Sequence, residues 1–282
     1  MDPDAEAEQA TSQILKTAFV TIVFSTCNYF PTEKTFSIYS SNTIVLKPPV
    51  AAIKHVIKKK KKKTIYLTFD DGPNRGTRKV MHIANEEQMP ITMFIIGEHV
   101  YGSEFQKETW DSITKSNMIE IANHSFTHAH NHYKEFYSNA DSVESDFIRC
   151  SDSLQFKNNI CRTPGRNIWR TENVNSTDLK SSTVAADSIS AKGYTIIGWD
   201  LEWHYDKNLC LMNSADSLLH QIDSVFKKGK TKNFGHLVLL AHDQVYADAE
   251  DSSQLRSLVN KLKKNDEYDF EFISRYPGVK NN

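Results

Sequence analysis

From Thr64 onward the chain repeats one rhythm, a short apolar run followed by a stretch with apolar residues three and four apart. The runs TIYLTF (64–69), ITMFII (91–96), MIEIA (118–122), YTIIG (194–198), HLVLLA (236–241) and FEFI (270–273) predict strands. Between them, 77–88 places Val80, Ile83 and Ala84 on one face, and 141–157 spaces Val143, Phe147, Cys150 and Leu154 as a helix would. Further helices are predicted over 104–116, 183–192, 214–228 and 252–264. Strands alternating with helices predict an α/β fold with a largely parallel sheet, open or closed into a barrel.

Upstream the rhythm is missing. Residues 28–57 carry few periodic signals, and 58–63 are six consecutive lysines, a run that repels itself and stays solvated. The pattern predicts a linker over 28–63 and a main domain over 64–282. The stretch KTAFVTIVFSTC (16–27) has a basic start, an apolar run too short to span a membrane, small residues and a cysteine. That is the grammar of a bacterial lipoprotein signal within 1–27, with a lipid anchor at Cys27 and a place in the cell envelope. The acidic MDPDAEAEQ before it departs from that grammar, and an ordinary buried segment in a cytoplasmic protein is the other reading.

Composition narrows the partners. Of 34 basic side chains, six belong to the lysine run, which leaves 28 against 35 acidic ones elsewhere. The mildly acidic body argues against nucleic acid as a partner. The four cysteines form no CxxC pair, so a structural zinc site is not expected, although Cys150 and Cys161 are close enough in sequence to bridge.

The chemistry-bearing residues cluster by position. Asp70-Asp71 follow the first strand of the domain, NHSFTH (123–128) follows the third, Trp199-Asp200 follow YTIIG, and His242-Asp243 follow HLVLLA. In a parallel α/β fold the carboxyl ends of the strands open on one face, where active sites sit. His124 and His128 are four apart and on a helical turn would share a face, and His128/His132 is a competing pair by spacing. Two histidines and an aspartate suit a catalytic divalent metal, zinc above all, with cobalt, nickel or iron also compatible.

On the segments TFDDGP (68–73), HSFTH (124–128), RTPGR (162–166) and VLLAHD (238–243), the chain resembles the polysaccharide deacetylases of carbohydrate esterase family 4, the NodB-homology domain, from about Thr64 to Ser274. The resemblance implies a distorted (β/α) barrel and a hydrolase that removes N-acetyl groups from an amino-sugar polymer such as peptidoglycan, a chitin-like chain or an exopolysaccharide. It implies Asp71, His124 and His128 as metal ligands, Asp70 as general base paired with Arg162, and His242 as the acid that protonates the departing amine. Pro164, Gly165 and Leu240 fall in its substrate-binding segments. Two departures stand out. Gly165 occupies the position of the family's usual aromatic, so a groove wall must come from elsewhere, with Trp169 one source. GWDLEW (198–203) is shorter than the usual Asp-x-x-Asp-Trp segment, so Asp200 or Glu202 could orient His242, and Trp199 or Trp203 could face the sugar. A catalytically dead carbohydrate-binding protein on the same scaffold is the rival, but it should lack Asp70 or His242. An iron oxygenase would predict a double-stranded β-helix, against the alternation seen here.

Overall fold

The computed structural model describes residues 62–280. The lipoprotein-signal expectation, Cys27, and the linker as far as residue 61 lie outside the described residues.

The first strand, β1 (Lys63–Gly72), is buried for most of its length. It passes through Pro73 into α1 (Arg75–Glu87), which begins where Asn74 and Thr77 form a reciprocal capping box. There follow β2 (Ile91–Ile95), the short α2 (Gly97–Val100), α3 (Glu104–Ile113) and β3 (Ile119–Asn123). Next come α4 (Tyr133–Ser138), α5 (Ala140–Leu154), β4 (Ile160–Cys161), β5 (Ile168–Arg170) and β6 (Asn175–Thr177). The chain continues through α6 (Thr183–Ala191), β7 (Thr195–Ile196), β8 (Leu201–Glu202) and α7 (Ala215–Lys227). It closes with β9 (His236–His242), α8 (Ala249–Lys263) and β10 (Tyr268–Phe270).

The strands form one curled sheet in the order β6-β5-β7-β4-β3-β2-β1-β9-β8, a half-barrel of the distorted (β/α) type. All pairings are parallel except those that β5 makes with β6 and β7. β10 pairs with Lys63–Ile65 of β1, below the point where β2 begins at Leu67. Outside the curl, Leu67, Phe69, Met93 and Leu239 pack with apolar residues of α1, α7 and α8. A second cluster joins Tyr66, Phe94, Trp169, Ile197, Val238 and Tyr276.

Three details refine the sequence reading. Lys62 and Lys63 are not free solvated charges: they pair with Asp269 and Glu267, each at 2.9 Å, and Lys63 opens β1. Cys150 and Cys161 are both buried free thiols. Trp169 and Trp203 are 0% and 1% exposed, with their indole N–H groups donating to Asn167 Oδ1 and the Asn213 carbonyl, so both are core residues and not groove walls. Among the described residues no helix is long and apolar enough to cross a membrane.

Candidate active site

Register brings the strand ends level. Asp70 of β1 lies opposite His242 of β9, while Ile95, Asn123 and Cys161 align across β2, β3 and β4. His124 and Arg162 are therefore each one residue beyond an aligned strand end.

The paired aspartates are separated by a β-bulge. The β1–β2 register shifts between Asp70 and Gly72, and Asp71 has φ 79°. In a regular strand neighbouring side chains point to opposite faces, whereas a bulge with a left-handed residue re-aims one of them. Asp71 Oδ1 thereby lies 3.3 Å from His128 Nε2 and 3.6 Å from His124 Nε2, while Asp70 Oδ2 lies 3.5 Å from His124 Nε2. The Asp71 carbonyl also accepts a bond from His99 Nδ1 at 2.9 Å.

His124 and His128 do not share a helical turn. Ser125 and His128 both have positive φ, and the connection is a loop held in place by neighbouring side chains. Asn123 Oδ1 accepts from the Ser125 N–H, Ser125 Oγ accepts from the His128 N–H, and Asp146 of α5 accepts from the N–H groups of Phe126 and Thr127 at 3.0 and 3.1 Å and from the Thr127 hydroxyl. Asp146 was invisible to motif reading because it lies on a separate helix with no strand before it. Asp146→Ala leaves two backbone N–H groups unsatisfied. It is expected to cost about 1–3 kcal/mol of stability and to weaken divalent-cation binding ~10- to 100-fold, measured by thermal melting and competitive chelator titration.

Arg162 is fully buried and fully engaged. It donates to Asp70 Oδ1 and Thr68 Oγ1 at 2.8 Å and to the carbonyls of Ile197 and Gly198. The guanidinium thus fixes one Asp70 oxygen and leaves the other facing the cluster.

Asp71, His124 and His128 offer three ligand atoms within 4.8 Å of one another. The donor set fits a cation. His124 Nδ1 is 2.9 Å from the Arg162 carbonyl, which can only accept, so Nδ1 carries the proton and Nε2 turns a lone pair toward two carboxylates. Asp71 Oδ1 is buried without a hydrogen bond. Burial works to raise the Asp71 carboxyl, but the imidazoles of His124, His128 and His242 hold it well below the usual range. Burial opposes charge on His124 too, yet Asp70 and then Asp71 raise it. Burial and the neighbouring His124 push His128 down to about 4, so its ring is neutral and free to ligate near neutral pH. A metal ion held at this point would place positive charge against the Asp71 and Asp70 carboxylates. His132 is exposed and outside this group.

The cluster opens into a cleft of about 670 Å³ that also receives Thr163, Gly165, Trp199, Glu202, Tyr205, Leu240 and His242. Asp200 is elsewhere. Its carboxylate accepts from the N–H groups of Lys232 and Val238, at 2.6 and 2.8 Å, and burial raises it to about 6. Asp200 stands level with Val238, four residues before His242 on β9, so it braces a loop and does not orient that imidazole. Glu202, level with Leu240, does line the cleft. Pro164 is buried, with its carbonyl accepting from Tyr137, and of that segment Thr163 and Gly165 reach the cleft. Two phenols the sequence reading passed over, Tyr133 and Tyr205, are in it.

Behind the site, Asp243 accepts from the Thr77 hydroxyl and the Asn74 amide, joining the end of β9 to the start of α1. The approach is close: a Cβ on Gly76 would lie 1.7 Å from the Asp243 carbonyl oxygen. Burial raises the Asp243 carboxyl to about 7, against the pull of its two hydrogen bonds. The folded state therefore binds this proton more tightly than the unfolded chain. Its stabilising contribution is full below about pH 4 and is lost as pH rises toward 7, an effect on the order of a few kcal/mol. Asp243→Asn is expected to flatten that part of the melting-temperature profile between pH 4 and 7.

Comparison with known proteins agrees with this geometry. The family model described as polysaccharide deacetylase matches residues 57–165. A Bacillus subtilis protein named as a polysaccharide deacetylase, YheN, is 23% identical over 227 residues, 77% of this chain and 70% of that protein. A peptidoglycan-N-acetylglucosamine deacetylase of Bacillus cereus is 31% identical over 86 residues, but these make up only 30% of this chain and 28% of the relative. Among solved structures, a family 4 carbohydrate esterase from Streptococcus mutans superposes with a TM-score of 0.57 over 75% of this chain and 86% of that one, at 20% identity, which establishes the common fold. With the Asp-Asp and His-Ser-Phe-Thr-His segments converging as described, residues 57–165 match the polysaccharide deacetylase family, and the fold is the one seen in family 4 carbohydrate esterases.

Proposed function

We propose that the protein is a metal-dependent hydrolase that removes N-acetyl groups from an amino-sugar polymer of the peptidoglycan or chitin type. The observation that supports it most is the bulge at Asp71, which turns two adjacent carboxylates toward His124, and Asp71 toward His128 as well, while a buried arginine holds Asp70. A divalent cation held by Asp71, His124 and His128, with zinc the best match to the ligands, would polarise the acetamide carbonyl and acidify a water molecule.

The remaining work falls to side chains. Asp70 accepts the proton of the attacking water through the oxygen that Arg162 leaves free. As the carbonyl carbon becomes tetrahedral, the Gly165 backbone N–H at the cleft edge donates to the developing oxyanion. His242, beside Asp70 on the neighbouring strand, gives a proton to the sugar nitrogen as the C–N bond breaks, so that acetate and a free amine leave. Export to the cell envelope belongs to the same proposal, since such polymers lie there, and its sequence signal falls outside the described residues.

Acetate release measured across peptidoglycan, chitooligosaccharides and a bacterial exopolysaccharide tests the reading. Release from at least one, abolished by a chelator, is expected. No release from any of them would overturn it.

A further inference from the structure

The cleft lacks an aromatic side chain at residue 165, and the structure shows what takes its place. Gly165 has φ 62°, and a Cβ built there would lie 3.0 to 3.2 Å from three atoms of the Tyr133 ring. The volume a side chain at 165 would occupy is already filled by a phenol delivered from α4. That ring packs edge-on against His128, centroids 5.7 Å apart at 81°, and its hydroxyl donates to Asn131 Oδ1 at 3.0 Å. The second phenol is Tyr205, on the loop after β8. Its ring packs against His242 at 5.1 Å and 66°, and its hydroxyl accepts from Gln244 Nε2. Both phenols are partly exposed and line the cleft, one at the His128 end of the polar cluster and one at the His242 end. The indoles of Trp169 and Trp203, by contrast, are sealed in the core.

We propose that Tyr133 and Tyr205 are the two walls that grip the pyranose ring whose acetamide is cleaved, and that they set the specificity of this site for an amino-sugar chain. Apolar C–H faces of a pyranose pack on aromatic rings, while phenolic hydroxyls at the rim exchange hydrogen bonds with sugar hydroxyls. A wall on α4 also ties sugar binding to the strained segment from His128 to Asn131, where four successive residues have positive φ. The inference rests on the deacetylase reading above, but binding separates the two.

Chitotetraose binding is measured by calorimetry on an Asp70→Asn background, which prevents turnover, with zinc present. Tyr133→Ala and Tyr205→Ala should each weaken binding about tenfold or more, with zinc content and cooperative melting preserved. Tyr133→Phe should restore most of the affinity, because the wall is kept and only the hydroxyl is lost. With Asp70 intact, the alanine variants should raise KM more than they lower kcat, the mark of uniform binding. Affinity unchanged in both alanine variants, or no binding of chitotetraose by the parent, would overturn the proposal. Absence of acetate release with sugar binding intact would instead remove the deacetylase reading and leave the walls standing.

Discussion

Asp70→Asn is expected to retain its divalent cation and to lose ~10²- to 10⁴-fold in deacetylation rate. Asp71, His124 and His128 are untouched by the change, and the amide keeps an oxygen for Arg162 to bond. What it cannot do is take a proton from water. The substitution also leaves a guanidinium with 0% exposure facing a neutral group, and breaking a buried ion pair in this way typically costs ~3–5 kcal/mol. Melting must therefore be followed alongside kinetics, at a temperature where the variant is folded. Asp71→Asn should behave in the opposite way, with weakened cation binding and activity partly restored by added zinc. If Asp70→Asn is the variant that loses metal and recovers with zinc, the roles of the two carboxylates are exchanged.

His128→Ala is expected to abolish both bound zinc and activity, whereas His132→Ala changes little. The pair His128/His132 has the same spacing in sequence as His124/His128, and the HSFTH segment and the fold both favour the latter. His124 and His128 turn Nε2 toward Asp71, whereas His132 is exposed and outside the ligand group. Zinc content by elemental analysis, with acetate release on the same samples, checks both variants. Equal loss in the two would mean that the ligand set is misassigned.

The outline of this fold was legible because burial in a parallel sheet leaves strong marks. β1, β2, β3 and β9 were apolar runs, and α1, α5 and α7 carried apolar residues at helical spacing, so their centres and order followed from pattern alone. The short strands β4, β5, β6 and β8 did not, since elements of two or three residues without a longer apolar run around them, such as YTIIG gives β7, have no pattern to read. The strand expected at 270–273 lies earlier, at Tyr268–Phe270, where pairing with Lys63–Ile65 of β1 decides its place.

The site divides along the same line. Residues next to strand ends, Asp70, Asp71, His124 and His242, came from position and motif, and the structure brings them together. Asp200 misled because period-two alternation says which face a residue takes and not how far along the neighbouring strand it stands. Level with Val238, it is several residues short of His242. Tyr133, Tyr205 and Asp146 reach the cleft or its supporting loop from segments with no chemical signature. The one signal available for Tyr133 was indirect: a glycine where an aromatic was expected leaves a space that some neighbour must fill.

The central claim is that deacetylation depends on one cation held by Asp71, His124 and His128. Its most direct test is a titration of chelator-stripped protein with zinc, in which bound metal and acetate release from a chitooligosaccharide or peptidoglycan fragment are followed together. The account predicts negligible activity without metal, a rise in step with occupancy, and saturation at one ion per chain. Full activity in the stripped protein, or activity that rises only after a site elsewhere is filled, would contradict it.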